Sequence, residues 1–346
     1  MTLCSLERPG GLGADDVTVR VVIIGGTRFI GRRTTEALVR RGDEVLVVHR
    51  GVAEPQDWVP CRHLHIDRKQ FSLGADQVRA FAPDAVVDTL AMTRTDVDAV
   101  LAHLPEVPLV LLSSMDVYRA YELALAGQAG IPVPLDEDSP LREGRYPHRG
   151  TDPGLEGYDL DMDHYDKLDV EPLYLQRGAI VLRLGMVYGE GDVQQREEFI
   201  LRRVRGGRRR IPIGEGTWRW TRIYVGDVAR AVLAALDTPE ATGQVFNVGE
   251  STTPTMREWV DQILAAANHD AELVTVPADV LPSDLVMTGR VPQDLLASSD
   301  KCRVMGWQPS DQAVAVRRSV RWHLAHPPAR PDTDFTADAR ALALPG

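Results

Sequence analysis

A strand that ends in a glycine turn and continues into a helix is the feature that most constrains how this chain can fold. Residues 19–24 read VRVVII, a short run dominated by β-branched residues, which is typical of a strand buried on both faces of a parallel sheet. Gly25 and Gly26 interrupt the run, and apolar residues at helical spacing follow as far as Gly42. The N–H groups and the dipole at the start of such a helix attract an anion above the turn. The order of strand, turn and helix therefore predicts a dinucleotide-binding α/β fold.

The positions of the glycines predict a different structural role for each. Gly25 permits the tight turn, and Gly31 allows the helix to pack closely against the strand. Arg28 replaces the middle glycine of the usual pattern. A glycine-rich turn without a ligand is the alternative interpretation, but the strand and the helix on either side favour a cofactor loop. The loop residues that we expect to contact the cofactor are Gly25, Thr27, Arg28, Phe29, Ile30 and Gly31.

The overall charge and the cysteines argue against several classes of function. The chain has 346 residues and a formal net charge of -11, which disfavours a general binder of nucleic acid or acidic membranes. Its three cysteines, Cys4, Cys61 and Cys302, are scattered and predict neither a disulfide framework nor a metal site. The sequence contains no recognisable signal peptide and no run of membrane-spanning length. We therefore expect a cytoplasmic protein without a metal, a membrane or a nucleic-acid partner.

The end of the second predicted strand bears on the choice of cofactor. Residues 44–49 read EVLVVH, and the end of this strand normally faces the adenosine ribose, where an acidic residue would accept from the 2′-hydroxyl of NAD. This chain instead has His49 and Arg50 there, with Arg28 in the glycine loop. Two guanidinium groups suit the 2′-phosphate of NADP. We therefore predict NADP, with NAD as the second choice; a solvent-facing Arg50 is the alternative interpretation.

Two more strands add expected cofactor contacts. Residues 62–66 form the third predicted strand, and Asp67, which follows it, can accept a hydrogen bond from the adenine amine. Residues 84–89 form the fourth. Leu90 and Ala91 lie at its tip, where parallel sheets of this kind hold their ligands, and we expect both near the cofactor.

The fifth predicted strand leads into the motif SSMDVY at residues 113–118, at the carboxyl end where an open α/β sheet places its chemistry. With this motif the chain resembles the extended short-chain dehydrogenase/reductase family, the NAD(P)-dependent sugar epimerases and dehydratases. The resemblance implies a Rossmann-type doubly wound parallel sheet with a smaller C-terminal α/β substrate domain. The matching motifs, in chain order, are GGTRFIG, SSMDVY, LRLGMVYG (182–189), YVGDVA (224–229), FNVG (246–249) and DKCRVMGWQP (300–309).

The resemblance covers residues 19–325 and divides the chain into interleaved units. It extends the expected cofactor contacts to Leu184 and Val187, which lie in the third motif. The predicted units are a disordered extension at 1–18, a Rossmann NAD(P)-binding domain at 19–190 plus 221–250, a substrate-binding domain at 191–220 plus 251–325, and a tail at 326–346.

The resemblance also implies a catalytic Ser, Tyr and Lys, the last two spaced Tyr-x-x-x-Lys so that they share one helix face. In the family the lysine holds the nicotinamide ribose, and its charge lowers the tyrosine pKa from about 10 toward neutrality. Ser114 and Lys167 match the serine and the lysine. Asp163 stands at the tyrosine position, and this is the main departure from the family pattern.

Three residues can take over the proton transfer. Asp163 lies on the expected helix face, but a carboxylate beside a lysine stays ionised and is a poor acid. His164 lies three residues before Lys167 and titrates near pH ~6.5. Tyr165 lies two residues before it, roughly 200° away on an ideal helix, and serves only if the helix starts late. We rank Tyr165 and His164 equally and place Asp163 behind them, with a water molecule or the substrate itself as a further alternative. The structural alternatives are a helix ion pair for Asp163, a surface position for His164 and a packing role for Tyr165.

The substrate side departs from the family as well. Where sugar-nucleotide members carry an arginine for diphosphate, this chain has Trp220, and the flanking Arg219 and Arg222 are alternatives for that role. Trp218 and Trp220 can instead form stacking walls or pack in the core. Residues 119–157 are rich in Pro and Gly and are expected to form a lid over the site. The predicted substrate contacts are Asp116, Tyr118, Trp218, Trp220 and Arg222.

These observations favour an NAD(P)-dependent oxidoreductase or epimerase/dehydratase that acts on a hydroxyl or carbonyl group of a sugar-like or nucleotide-sugar substrate. Ser114 and Lys167 match the family's catalytic residues and support this interpretation. Asp163, at the tyrosine position, favours an alternative: an atypical cofactor-binding protein, such as a non-redox enzyme, a sensor or an RNA-associated protein. The expected partner is a small-molecule substrate, and a homodimer is one assembly consistent with the resemblance.

Overall fold

The structure is a computed structural model that describes residues 18–55, 58–152, 154 and 159–343. The predicted extension at residues 1–17 and the last three residues of the predicted tail lie outside the described residues. Among the described residues, no helix combines the length and the apolar character needed to cross a membrane.

Strands and helices alternate through the first half of the chain, as predicted. The strands of the described residues are β1 (Arg20–Ile24), β2 (Glu44–His49), β3 (Arg62–His65), β4 (Ala85–Asp88), β5 (Leu109–Ser114), β6 (Ile180–Leu184), β7 (Met186–Tyr188), β8 (Arg210–Ile213), β9 (Arg222–Tyr224), β10 (Val245–Val248) and β11 (Glu272–Thr275). The α-helices of the same residues are α1 (Phe29–Arg41), α2 (Ala75–Phe81), α3 (Arg94–Val100), α4 (Arg119–Leu125), α5 (Lys167–Gln176), α6 (Glu198–Arg205), α7 (Val225–Leu236), α8 (Met256–Ala266), α9 (Gln312–Ala325) and α10 (Thr336–Ala343).

Seven strands form one parallel sheet in the order β3-β2-β1-β4-β5-β6-β10. The order reverses at β1, which pairs with β2 on one side and β4 on the other. Such a reversal opens a crevice at the carboxyl ends of the strands, where doubly wound folds bind their ligands. The predicted Rossmann-type fold is confirmed, and two parallel pairs, β7 with β9 and β8 with β11, lie outside this sheet.

The core lies on both faces of the sheet because successive side chains of a strand point to opposite sides. Val21 and Ile23 of β1 pack in a cluster that includes residues of α1 and α7. Val22 and Ile24 pack in a second cluster with residues of α2, α3 and α5. All four side chains are at most 2% exposed, which explains why β1 reads as a continuous apolar run.

The carboxy-terminal segment differs from the predicted tail. Residues 336–343 form α10, and Asp338 accepts hydrogen bonds from the guanidinium of Arg203 in α6 at 2.7 Å. Both side chains are fully buried. The prediction of a tail was therefore wrong for this helix, because a buried ion pair between residues far apart in sequence holds it against the body of the protein.

Candidate active site

A cavity of about 680 Å³ lies at the carboxyl ends of the central strands. It extends from the glycine loop after β1, past Ser114 at the end of β5, to Trp220 and Leu295 on the opposite side. The predicted cofactor contacts that line it are Gly25, Thr27, Arg28, Phe29, Ile30, Gly31, Arg50, Asp67, Leu90, Lys167, Leu184 and Val187.

The glycine loop forms a cradle that a side chain would fill. Gly25 has a φ of +88°, and a Cβ on it would lie 2.4 Å from the side chain of Leu90. A Cβ on Gly31 would lie 2.0 Å from the carbonyl oxygen of Gly25. Arg28 stands at the N-cap of α1 in an extended conformation and lines the cavity. The loop therefore leaves space for a ligand above the start of α1, and these residues fit the phosphates of a dinucleotide.

Near the glycine loop, the cavity is also lined by His49, Arg50 and Asp67. Burial lowers the pKa of His49 to about 4, and the neighbouring His65 and His63 act in the same direction. His49 is therefore neutral at pH 7. The cationic side chains that line this end of the cavity are those of Arg28, Arg50, Arg68 and Lys69.

Lys167, the first residue of α5, points its ammonium group toward the carboxyl ends of β4 and β5, beside the cavity. Its Nζ donates to the carbonyl oxygens of Ala91 at 2.7 Å and Leu112 at 3.1 Å. Burial lowers the pKa of Lys167 to about 8. Ala91 is fully buried and is not among the residues lining the cavity, so its predicted cofactor contact was wrong: its carbonyl positions Lys167 instead.

The helix that carries Lys167 starts later than the Tyr-x-x-x-Lys spacing predicts. Asp166 is the N-cap of α5, and its side chain accepts from the backbone N–H of Leu168. Asp163 therefore precedes the helix and does not share a face with Lys167. Its carboxylate accepts from the backbone N–H of Gly150, and the residue is exposed.

Of the three candidates for proton transfer, the structure brings Tyr165 to the cavity. Tyr165 is buried and lines the cavity, whereas Asp163 and His164 are exposed and do not line it. His164 instead binds the carboxylate of Asp161 at 2.8 Å. The placements of Asp163 and His164 in the site were wrong, because residues just before a helix N-cap do not follow helical periodicity.

Asp116 connects the polar side chains at the centre of the cavity. Its Oδ2 accepts a hydrogen bond from the Tyr165 hydroxyl at 2.8 Å and lies 3.4 Å from Nε2 of His148. Its backbone N–H donates to Oγ of Ser114 at 3.1 Å. Its Oδ1 is buried and has no hydrogen-bond partner among the described residues.

The electrostatics around Tyr165 differ from the family expectation. Burial raises the pKa of Tyr165 well above 10, and the charge of Asp116 adds to the effect. Burial and Asp116 also raise the pKa of Tyr121, which lines the same cavity, to about 12. The lowered tyrosine pKa of the family pattern therefore does not carry over to Tyr165. The phenol stays protonated at neutral pH and can exchange its proton with Asp116.

His148 was missed by the sequence reasoning. It lies in the segment 119–157, whose described residues include Tyr121, Leu135 and Thr151 in the cavity wall. Its ring packs edge to face with that of Tyr165, with centroids 4.9 Å apart. A histidine in a Pro- and Gly-rich stretch carries no motif, so only the position of this segment after β5 hinted at its place. The predicted irregular segment also begins with a helix, α4.

The predicted substrate contacts divide into two groups. Asp116 and Trp220 line the cavity, and Arg196, which was not predicted, lines it as well. The placements of Tyr118, Trp218 and Arg222 were wrong, because all three are buried in the packing around the site. The hydroxyl of Tyr118 donates to Oδ1 of Asn247, Nε1 of Trp218 donates to the Met287 carbonyl, and the guanidinium of Arg222 stacks on the ring of Trp259.

Comparison with known proteins agrees with this architecture. The family model described as NAD dependent epimerase/dehydratase family matches residues 171–249. The chloroplast stem-loop binding protein of 41 kDa b of Arabidopsis thaliana is 25% identical over 346 residues, covering 94% of this chain and 84% of that protein. The 3-diazoavenalumate denitrifying reductase of a Streptomyces species is 26% identical over 309 residues, covering 84% of this chain and 96% of that protein.

A solved structure shares the fold. The dTDP-glucose 4,6-dehydratase of Bacillus anthracis, crystallised with NAD, aligns with a TM-score of 0.65 over 90% of this chain and 98% of that chain, at 16% identity. The resemblance predicted from the sequence motifs is thereby confirmed: residues 171–249 match the NAD dependent epimerase/dehydratase family model, and the fold is shared with solved epimerases and dehydratases.

Proposed function

We propose that this protein is an NAD(P)-dependent oxidoreductase or epimerase/dehydratase that acts on a hydroxyl or carbonyl group of a sugar-like substrate, nucleotide sugars included. One observation carries the proposal: the hydroxyl of Tyr165 and the carboxylate of Asp116 form a 2.8 Å hydrogen bond in the cavity that Ser114 and Lys167 also line. A proton-transfer pair thus stands beside the two residues that match the family's serine and lysine.

The cofactor would extend along the wall from the glycine loop to Lys167. The cradle over Gly25 and Gly31 suits the pyrophosphate, while Arg28 and Arg50 favour NADP over NAD through the 2′-phosphate. Lys167 would donate to the nicotinamide ribose, since two carbonyls hold its ammonium in place and an ammonium has three N–H groups. When bound, a nicotinamide cofactor accepts or supplies the hydride.

The proton takes a path through residues of this chain. In oxidation of a hydroxyl, the hydroxyl proton passes to the oxygen of Tyr165 while the phenol gives its own proton to Oδ2 of Asp116. No tyrosinate accumulates, which agrees with the raised pKa of Tyr165. His148 lies near enough to Asp116 to pass the proton onward. In reduction of a carbonyl the same atoms carry the proton in the opposite direction.

The substrate would occupy the end of the cavity away from the glycine loop. Trp220, Leu295 and Arg196 line this end. They come from the segments 191–220 and 251–325, which we propose as the substrate-binding unit. The indole of Trp220 offers an apolar face to a sugar ring, and Arg196 offers a cation.

An RNA-associated role is the alternative, and one relative is named as a stem-loop binding protein. The most basic run of the chain is RRVRGGRRR at residues 202–210, and its first two arginines are buried. In that run, Arg203 is fully buried against Asp284 and Asp338. Arg202 is buried against Asp284 and Asp332. Neither guanidinium is presented to a phosphate backbone.

The test is turnover with bound cofactor. Purified protein is mixed with NADP or NADPH and with UDP- and dTDP-linked hexoses, free hexoses and small aldehydes. Absorbance of the reduced nicotinamide reports net redox chemistry, and product analysis by nuclear magnetic resonance reports epimerisation, which leaves the absorbance unchanged. We expect conversion of at least one substrate class. Cofactor binding without conversion of any of them would support the sensor alternative instead.

A further inference from the structure

Three histidines and one glutamate converge beside the part of the cavity that His49 and Arg50 line. They are His49 at the end of β2, His63 and His65 on β3, and Glu54 in the connection between these strands. Their ligand atoms all lie within 4.8 Å of one another. None of these residues matched a metal motif in the sequence, because the grouping depends on the pairing of two strands.

The pairing of β2 with β3 explains the grouping. His49 is the register partner of His65, so their side chains lie on the same face, and His63 shares that face because it is two residues from His65. Glu54 then reaches both rings of β3: its Oε1 lies 3.2 Å from Nδ1 of His63, and its Oε2 lies 3.1 Å from Nε2 of His65.

With Glu54 ionised, the protons of the rings alone cannot satisfy the contacts within this cluster. The backbone N–H of Gly51 donates to Nδ1 of His49 at 3.1 Å, so the proton of a neutral His49 ring is on Nε2. That atom lies 2.9 Å from Nδ1 of His63, which must therefore accept. The same Nδ1 of His63 also faces Oε1 of Glu54, which is a second acceptor. If the His63 proton is moved to Nδ1 to suit Glu54, two donors face each other across the His49–His63 contact.

We propose that Glu54, His63 and His65 bind a divalent transition-metal ion, with Zn²⁺ as the best match. A cation between the carboxylate and the lone pair of His63 Nδ1 removes the conflict between two acceptors. Zinc takes imidazole and carboxylate ligands at about 2.0–2.2 Å, so tetrahedral ligand atoms are about 3.3–3.6 Å apart. The contacts of 3.1 and 3.2 Å made by Glu54 already approach that separation.

The neighbours of these three ligands complete the site. Nε2 of His63 lies 3.5 Å from Sγ of Cys61, a second contact that orients the ring. His49 keeps its bond from Gly51. Metal binding to Nδ1 of His63 replaces the bond from Nε2–H of His49, which then donates to a water or an anion at the fourth, open position. His49 also lines the cavity. Three protein ligands and one open position are the arrangement of exchangeable zinc sites.

Metal binding to the whole chain tests this assignment without any activity. Protein treated with a chelator and then dialysed is titrated with Zn²⁺ by calorimetry and with Co²⁺ by visible absorption, which reports tetrahedral coordination. We expect one equivalent of saturable binding and an intense Co²⁺ spectrum. Loss of a residue that only orients a metal ligand already weakens metal binding by about 10–100-fold. Loss of a ligand itself, in His63→Ala or Glu54→Gln, should therefore weaken it at least tenfold.

Two variants keep the test decisive. His65→Gln alters a half-exposed side chain, so the protein should fold normally, and it should also lose at least tenfold in affinity. His164→Ala removes an exposed histidine that is bound to Asp161, and it should bind the metal like the parent. Absence of binding to the parent, equal affinity in His65→Gln, or equal loss in His164→Ala would overturn the assignment.

Discussion

The hydroxyl of Tyr165 donates to Oδ2 of Asp116 at 2.8 Å, although the two residues are 49 positions apart in sequence. The ammonium of Lys167 lies 6.0 Å from the centroid of the Tyr165 ring. Asp116 and Ser114 therefore interact directly with the phenol of Tyr165, whereas the ammonium of Lys167 lies farther away. In the family pattern one lysine both holds the nicotinamide ribose and acts on the tyrosine. Here the carboxylate of Asp116, and not Lys167, contacts the tyrosine hydroxyl.

Replacement of Tyr165 by Phe should reduce turnover by about 10²–10⁴-fold, because a positioned proton donor typically contributes that much. Cofactor affinity should change little, since the ring stays in place and loses only its bonds to Asp116 and Ser114. Steady-state kinetics and cofactor titration measure the two effects. Asp163→Asn and His164→Ala are the matched controls, because both side chains are outside the cavity. A larger loss in either control than in Tyr165→Phe would contradict the assignment.

Replacement of Lys167 by Met should weaken cofactor binding. A hydrogen bond from an ammonium contributes about 1.5–3 kcal/mol, which corresponds to roughly tenfold or more in the dissociation constant. Fluorescence titration with NADPH checks the affinity, and a thermal melt checks that the buried substitution leaves a folded protein. Lys301→Met is the control, since the ammonium of Lys301 binds the carbonyl of Val245 and does not line the cavity. Unchanged cofactor affinity in Lys167→Met would contradict the match of Lys167 to the family's lysine.

The lowered pKa of Lys167 predicts how stability changes in alkaline solution. Its pKa falls from 10.5 to about 8 on folding, so between these values the unfolded chain holds a proton that the folded protein has released. The free energy of unfolding should therefore rise with pH across this window through this group, and the unfavourable contribution is fully present below pH 8. Urea denaturation of cofactor-free protein at several pH values measures the trend. Lys167→Met should lack this rise; an identical slope in both proteins would contradict it.

NADP should bind more tightly than NAD, because Arg28 and Arg50 both border the end of the cavity where His49 is neutral. Arg50→Asp should reverse the preference, since a carboxylate repels the 2′-phosphate and accepts from the 2′-hydroxyl of NAD. Parallel titrations with both cofactors test this. The control is Arg94→Asp, an exposed change at the start of α3, which should leave the ratio unaltered. Equal affinities in the parent, or tighter NAD, would exclude the preference.

Substitution of Asp338 by Asn should destabilise the protein. Breaking a buried ion pair typically costs about 3–5 kcal/mol, and because Arg203 keeps its contact with Asp284, we expect the lower end, about 3 kcal/mol. Chemical denaturation measures the loss. Arg210→Gln removes an exposed ion pair with Glu272 and should change the stability by less than about 1 kcal/mol. Equal stability of Asp338→Asn and the parent would mean that α10 is not anchored through this pair.

Much of the fold follows from local sequence patterns. The apolar run before Gly25 predicts β1, and the alternation of strand and helix predicts the parallel sheet, because burial on both faces leaves a recognisable composition. Gly25 and Gly31 mark the cradle, since any side chain there would collide with the backbone or with Leu90. Ser114 and Lys167 also lie beside the cavity as their motifs predict.

The sequence by itself therefore determined the Rossmann-type sheet, the cofactor cradle and two residues of the site, because each depends on short-range spacing. Only the tertiary structure decided where α5 begins. Arg142 and Arg145 bind the carboxylate of Asp166 at 2.7 Å and hold it as the N-cap, so Tyr165 precedes the helix and turns into the cavity. Helical spacing cannot reveal such long-range ion pairs. For the same reason the contact of Tyr165 with Asp116 and the docking of α10 could be read only from the folded chain.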